Sequence, residues 1–262
     1  MSLKLKNVIA ELEKWAPLQY QENYDNSGLL IGDKEMNLSS ALICLDCTEQ
    51  VIEEAISSGA NLVIAHHPLI FSGLKKLVGE NYVERTVIKA IKNDIAVYAI
   101  HTNLDNMHNG VNAKITELMG IQNPQILFPK KGLVNIGSGM IGELKEEMSA
   151  LNFMKMVKET FGVEMLRYTN ILKDKVNKIA VCGGSGSFLL PQAIEQGADV
   201  FVSSDFKYHQ FFDSENQIVI VDIGHYEAEK FTKELIYDFL REKFPTFVLR
   251  LSNIKTNPVN YL

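Results

Sequence analysis

The sequence contains few cysteines, a single tryptophan and no long apolar segment. Its 262 residues include three cysteines, an odd and small number that is typical of a reducing compartment. The first 19 residues interleave lysine and glutamate with apolar residues, so they lack the continuous apolar core of a signal peptide. No apolar segment approaches the roughly 18 residues that a membrane helix requires. We therefore expect a cytoplasmic protein that does not enter a membrane.

The sequence also lacks an excess of positive charge. Lysine and arginine number 26 against 32 aspartates and glutamates, which gives a formal net charge of −6 at pH 7. Such a chain has no global field that attracts phosphate backbones, so nucleic acid is not expected as a partner. The apolar content of 46% is sufficient for an ordinary globular core.

Two of the cysteines, Cys44 and Cys47, have a spacing that is known from metal and redox sites. They lie in the segment SALICLDCTE, whose apolar run predicts a strand that ends at Thr48. Because residues three apart on a strand point to opposite faces, we interpret both thiols as packing residues.

Apolar strands alternate with helical patterns along the whole chain, which predicts an α/β fold with mixed, mainly parallel sheets. We expect two similar α/β lobes, residues 1–127 and 128–262. The segment 123–132 is predicted as a loop, and 225–244 as one helix.

The two halves of the sequence are also similar to each other. The segment VIEEAISSGANLVIAHHPL is similar to LPQAIEQGADVFVSSDFK, so that Gly59 matches Gly197 and the pair His66 and His67 falls opposite Ser204 and Asp205. The strand that follows each segment ends in a histidine with an acid four residues later. This pattern favours a pseudo-repeat of two lobes.

His66 and His67 end a predicted strand. In an open α/β sheet, functional groups gather at the carboxyl ends of the strands. Pro68 prevents regular pairing beyond them, so both rings can turn into the same cleft and bind two ions about 3.5–4 Å apart. The alternative is one core histidine and one exposed histidine.

His225 and Glu229 follow another predicted strand, with His225 near the start of a helix and Glu229 one turn later on the same face. Such a pair can share one cation, and the two oxygens of the carboxylate can bridge two. The alternative is a capping pair in which Glu229 stabilises the helix dipole. Asp105, four residues after His101, is a ligand or a turn residue. Mixed histidine and carboxylate ligands suit zinc, iron, manganese, nickel or cobalt.

Two further segments carry candidate residues for binding or proton transfer. The stretch VCGGSGSF predicts a strand, a glycine-rich turn and a helix; its amides would hold an anion, or its glycines would serve only the tight turn. The candidate anion loop comprises Gly183, Gly184, Ser185, Gly186 and Ser187. The candidate proton relay or substrate-contact residues are Asp205, Lys207, His209 and His101.

Six motifs, in order over nearly the whole chain, resemble those of the Nif-three-like dinuclear metal-centre family, whose members are often labelled GTP cyclohydrolase I type 2 homologs. They are YDNSGLLIG, AHHPLIF, HTNLDN, CGGSGS, SSDFKYH and GHYEAE. The resemblance implies that His66 and Asp105 bind one metal ion, that His67 and His225 bind the other, and that Glu229 bridges both. It also implies a homohexameric ring of two-lobed subunits, with the metal site between the lobes and no inserted extra domain in this chain.

The resulting hypothesis is a metal-dependent hydrolase. Two divalent ions would activate water for attack on a nucleotide or another small phosphate-containing substrate, as the family label GTP cyclohydrolase suggests. The alternative is a metal-binding or regulatory ring-shaped assembly without turnover, which needs the same ligands but neither relay residues nor an anion loop.

Overall fold

The chain forms two units, each built around its own β-sheet. The computed structural model describes residues 3–262. The first unit comprises the residues up to Leu104 together with Thr232–Pro258, and the second comprises Asp105–Phe231 with Val259–Leu262. The α/β class with two mixed sheets is therefore confirmed. Within residues 3–262, no helix combines the length and the apolar character that spanning a bilayer requires.

The first unit contains five α-helices and a five-stranded sheet within the described residues. The strands lie in the order β1-β4-β3-β2-β11, and only the β1–β4 pair is antiparallel. Strands β3 and β4 lie inside the sheet and are almost entirely buried, as their apolar runs predict. The elements are α1 (Leu5–Trp15), β1 (Gly28–Ile31), β2 (Ala41–Asp46), α2 (Glu49–Ser58), β3 (Leu62–His67), α3 (Tyr82–Lys92), β4 (Ala96–Ala99), α4 (Thr102–Asp105), which ends at the first residue of the second unit, α9 (Thr232–Lys243) and β11 (Leu249–Leu251).

The second unit has a six-stranded sheet in the order β5-β6-β8-β9-β10-β7. Strands β8, β9 and β10 are mutually parallel, and the flanking pairs are antiparallel. Its elements are α5 (Val111–Leu118), β5 (Gln122–Pro129), β6 (Gly137–Ser149), α6 (Ala150–Phe161), β7 (Arg167–Tyr168), β8 (Lys175–Ser185), α7 (Leu190–Glu195), β9 (Val200–Ser204), β10 (Val219–Asp222) and α8 (His225–Glu229).

This division differs from the predicted boundary after residue 127. The chain returns to the first unit after Phe231, where α9 packs on β2 and β11 completes the first sheet. Residues 105–127 join the second unit because α5 packs on β6 and β8, and β5 pairs with β6.

Two predicted elements are wrong in detail. Segment 123–132 is mostly strand β5, an edge strand that tolerates its prolines and approaches β6 so closely that a Cβ on Gly137 would overlap the carbonyl of Phe128. The single helix predicted for 225–244 is broken at Lys230 and Phe231. The Lys230 ammonium donates to the carbonyl of Phe161 at 2.5 Å, which holds this break against α6.

The two units share local structure that supports the pseudo-repeat. Helix α2 ends at Gly59 with φ 72°, and the corresponding helix α7 is followed by Gly197 with φ 71°. In each case the amide of the next alanine donates to the carbonyl of a buried alanine in the helix, Ala60 to Ala55 at 2.9 Å and Ala198 to Ala193 at 3.0 Å. The left-handed backbone conformation after each helix favours glycine, which has no Cβ, and this explains why the pair Gly-Ala recurs in both segments.

Candidate metal centre

Three histidines of the first unit lie together at the carboxyl ends of neighbouring strands. Strand β3 ends with His66 and His67, and β4, which is paired with it in parallel, leads to His101. One ring nitrogen of each histidine lies within 4.8 Å of the other two. The ring centroids are 4.9–5.3 Å apart. We call these three residues the histidine cluster.

Each ring of the histidine cluster is held through Nδ1. His66 Nδ1 lies 2.8 Å from the carbonyl oxygen of Ile100, which can only accept a hydrogen bond. The Nδ1 atoms of His67 and His101 each lie 2.7 Å from a carboxylate oxygen. Hydrogen on Nδ1 leaves the lone pair of a neutral ring on Nε2, which is the usual arrangement of histidines that bind metal ions.

Asp25 is the carboxylate that holds His101. Its side chain is fully buried, and it accepts hydrogen bonds from His101 Nδ1, from the Thr102 amide and hydroxyl, and from the Asn26 amide and Ser27 hydroxyl. Burial would raise the pKa of Asp25, but the hydrogen bond and charge of His101 and the bonds from Thr102 keep it well below its usual value. The motif YDNSGLLIG contains this residue, although the sequence alone assigns it no role.

Asp46 is the carboxylate that holds His67. It is the last residue of β2 and the direct cross-strand partner of His67, and it accepts a second hydrogen bond from the Thr256 hydroxyl. Burial opposes its ionisation, yet the bonds from His67 and Thr256 lower its pKa. In the sequence, the spacing of the flanking cysteines is conspicuous, whereas no local pattern indicates a role for Asp46.

The cysteines on either side of Asp46 are packing residues, in agreement with the interpretation of the sequence. Cys44 and Cys47 are buried and form no disulfide. Burial and the neighbouring Asp46 charge raise the pKa of Cys47 to about 12, so this thiol stays protonated. Strand β2 ends at Asp46, and Thr48 instead caps α2 by accepting from the Val51 amide.

In the second unit, His225 and Glu229 form a pair on one turn of α8. His225 is the first residue of this helix, and its Nε2 lies 3.0 Å from Glu229 Oε2. Its Nδ1 lies 2.7 Å from Asp205 Oδ2. Burial favours the neutral ring, but the Glu229 and Asp205 carboxylates outweigh it and raise the pKa of His225 to about 11. The pair therefore attracts positive charge, and Asp205 orients the ring.

Glu229 also lies close to Asp105. A carboxylate oxygen of each residue lies within 4.8 Å of the other. Burial, reinforced by the charges of Asp105 and Glu229, raises the pKa of the Cys182 thiol well above its usual value. Asn112 connects this region, since its amide donates to the Asp105 carbonyl at 3.1 Å and its oxygen accepts from the Gly183 amide at 2.9 Å. Glu229 thus has a candidate ligand on either side, His225 and Asp105.

The glycine-rich segment supports this carboxylate through close packing. Strand β8 continues to Ser185, so the predicted turn is a strand end. A Cβ on Gly184, which has φ 62°, would overlap Glu229 Oε1, and one on Gly186 would overlap the Ser203 hydroxyl. The Gly183 amide, one of the five amides of the candidate anion loop, donates to Asn112; anion binding by this loop stays a prediction. A 3₁₀ helix follows at Ser187–Leu189.

Another predicted contact residue, His209, is exposed on a 3₁₀ helix, Tyr208–Ser214. Lys207 precedes it and is exposed. The His209 ring lies 5.2 Å from the Tyr208 ring and 6.4 Å from that of Phe212. Their proposed contact with substrate remains a prediction.

The imidazoles are oriented through Nδ1, and carboxylates lie beside them at the ends of the strands. This is the arrangement of an α/β protein whose side chains can bind metal ions. The chain belongs to the Duf34/NIF3 (NGG1p interacting factor 3) family, whose family model matches residues 3–258.

Named relatives and a solved structure agree with this assignment. A protein of Clostridium perfringens (strain 13 / Type A) is 37% identical over 228 residues, 87% of each chain. One from Lactococcus lactis subsp. lactis is 35% identical over 260 residues, 98% of each chain. Both are named GTP cyclohydrolase 1 type 2 homolog. The crystal structure of a Bacillus cereus protein related to NIF3 matches with a TM-score of 0.92 and 28% identity, covering 100% of this chain and 99% of the other.

Proposed function

We propose that this protein binds two divalent metal ions and uses them to hydrolyse a nucleotide or another phosphate-containing substrate. The observation that carries the proposal is the Nδ1 anchoring of His66, His67 and His225 by a carbonyl or carboxylate. Such anchoring fixes the ring orientation and the position of the lone pair before a cation arrives.

We assign His66 and Asp105 to one ion, His67 and His225 to the other, and Glu229 to both. Glu229 suits a bridging role because the second unit places its carboxylate beside both Asp105 and His225. The donor set of imidazoles and carboxylates fits zinc, iron, manganese, nickel or cobalt.

Two bound cations would lower the pKa of a water molecule toward neutrality and polarise a substrate oxygen. His101, held by the buried Asp25, is positioned to accept or donate a proton beside His66 and His67. Lys207 and His209 would contact the substrate. Asp205 acts through His225 and is therefore a positioning residue.

The names of the relatives favour a nucleotide, GTP included, as the substrate. We also propose a homohexamer, by the family resemblance. Light scattering on the purified protein tests it, and a mass of one or two chains would contradict it.

Elemental analysis tests the metal centre directly. We expect a ratio near two metal ions per chain in protein purified without a metal-binding tag. Glu229→Ala should lose both ions and all turnover, whereas Glu195→Ala, an exposed acid on α7, should retain both. Two ions in Glu229→Ala would contradict the bridging assignment.

A further inference from the structure

Two exposed aromatic side chains border the histidine cluster. Tyr24 is 64% exposed and Phe71 is 48% exposed. The Phe71 ring lies 6.3 Å from the His101 ring at 70°, and 6.2 Å from the Tyr24 ring at 36°. These separations are those of favourable aromatic contacts. We call Tyr24 and Phe71 the aromatic pair; its Phe71 ring adjoins His101 of the histidine cluster.

Hydrogen bonds fix the backbone on both sides of the aromatic pair. Asp25, next to Tyr24, accepts from His101 Nδ1 at 2.7 Å. The Asn26 side chain donates to the carbonyl of Ile70, the residue before Phe71, at 2.5 Å. The chain that carries each ring is therefore tied down beside the cluster, one residue away from the ring itself.

Adjacent exposed rings of this kind are a surface for a flat, apolar ligand. Large aromatic side chains side by side in water lose the stabilisation of burial, so such clusters usually mark binding sites. A planar heterocycle gains most from them, because every nucleobase offers a π-face that stacks on tyrosine or phenylalanine. Because the Phe71 ring adjoins His101, a heterocycle stacked on it would lie beside the histidine cluster.

We propose that the aromatic pair binds the base of a nucleotide substrate. This inference rests on the proposed function and narrows its substrate from any phosphate-containing compound to one that carries a planar heterocycle.

The experiment compares two probes that share a sugar phosphate, guanosine 5′-monophosphate and ribose 5-phosphate, by calorimetric titration of the protein as purified. The wild type should bind the nucleotide more tightly. Phe71→Ala should weaken nucleotide binding about tenfold, which corresponds to about 1.4 kcal/mol, and leave ribose 5-phosphate unchanged. Tyr24→Ala should act in the same direction, and Phe71→Trp should restore binding.

Tyr82→Ala is the matched control, since this tyrosine of the first unit is 59% exposed and begins α3. It should bind both probes like the wild type. Metal content is measured for every variant, so that loss of the cluster is not mistaken for loss of the base contact. Phe71→Leu keeps the apolar volume and should still weaken nucleotide binding.

Three results would overturn the inference. They are equal affinities of the wild type for both probes, unchanged nucleotide binding by Phe71→Ala, and a changed oligomeric mass in the variants, which would mark a contact between copies. Hydrolysis is assayed separately from binding, so base-dependent binding in a protein that hydrolyses no ester would support this inference and contradict the hydrolase.

Discussion

Each histidine of the cluster is oriented by an acceptor from a different part of the chain. The Ile100 carbonyl holds His66, the Asp46 carboxylate holds His67, and Asp25 holds His101. The residues behind the candidate ligands therefore determine which nitrogen faces a cation, and their replacement is expected to alter metal affinity without removing a ligand.

Replacement of Asp46 tests this at one residue. Asp46→Asn removes the negative charge and one acceptor oxygen from a group that holds both His67 and Thr256. We expect metal affinity to fall about 10-fold to 100-fold, as is typical for residues that orient ligands. Competition with a chelator of known affinity measures it.

The matched control is Asp94→Asn. Asp94 is exposed after α3 with φ 53°, a conformation that asparagine adopts readily. Unchanged affinity in Asp46→Asn, or an equal loss in both variants, would contradict the orienting role.

The sequence predicted the candidate ligands but not the residues that orient them. His66, His67, Asp105, His225 and Glu229 follow apolar strands, and their residue types reveal them. Asp25 and Asp46 acquire their roles through pairing across the fold. Asp46 meets His67 because of the register between β2 and β3, which local patterns do not specify.

At the scale of elements, the two units repeat one way of fixing a strand. Asn61, just before β3, accepts the Ser39 amide with its side chain at 2.8 Å. Asp199, just before β9, accepts the amides of Asn177 and Lys178 at 2.9 and 3.0 Å. Each side chain thus ties the start of one strand to its parallel neighbour.

The charge of Asp199 makes this contact dependent on pH. Burial would raise the pKa of Asp199, but Lys173 and the two amides lower it below its usual value. Since the unfolded value is about 3.9, the stabilisation is present above about pH 4 and is lost as the pH falls through the folded-state pKa.

We therefore expect Asp199→Asn to lower the free energy of unfolding at pH 7 by about 1–2 kcal/mol. The difference from the wild type should shrink as the pH falls below about 4 and through the folded-state pKa, because the Asp199 carboxylate then becomes protonated. Urea denaturation at pH 7 and at pH 3 measures it. The control is Asp174→Asn, at an exposed position in the same unit, which should have little effect. If the loss of free energy of unfolding caused by Asp199→Asn were larger at pH 3 than at pH 7, the stabilising role of the Asp199 charge would be contradicted.

The sequence predicted the elements that have a clear local pattern of apolar residues, and it did not predict those whose bounds depend on tertiary contacts. The central strands β3, β4, β9 and β10 are short apolar runs that alternate with helical patterns, and this alternation favours strands over buried helices. Strand β5 contains two prolines and depends on pairing with β6. The predicted helix over 225–244 has an uninterrupted helical pattern, but it is broken at Lys230 and Phe231, where the Lys230 ammonium contacts the carbonyl of Phe161.

At the scale of the whole molecule, candidate ligands come from both units. The chain passes from His101 of the first unit to Asp105 of the second within the single turn of α4. If one dinuclear centre takes ligands from both units, as we propose, metal binding must stabilise them together, because a ligand that binds only the folded state raises its stability.

The single tryptophan gives a local probe of this coupling. Trp15 belongs to the first unit, where its ring stacks on Phe239 at 4.3 Å, so its fluorescence reports the unfolding of that unit. A chelator should lower the thermal midpoint of the wild type by several degrees. Glu229→Ala removes a ligand of the second unit only, and it should abolish the metal-dependent shift that Trp15 reports, whereas Glu195→Ala should preserve it. A full shift in Glu229→Ala would show that the first unit binds its metal alone, with His66, His67 and His101 as the complete donor set, and would contradict a shared centre.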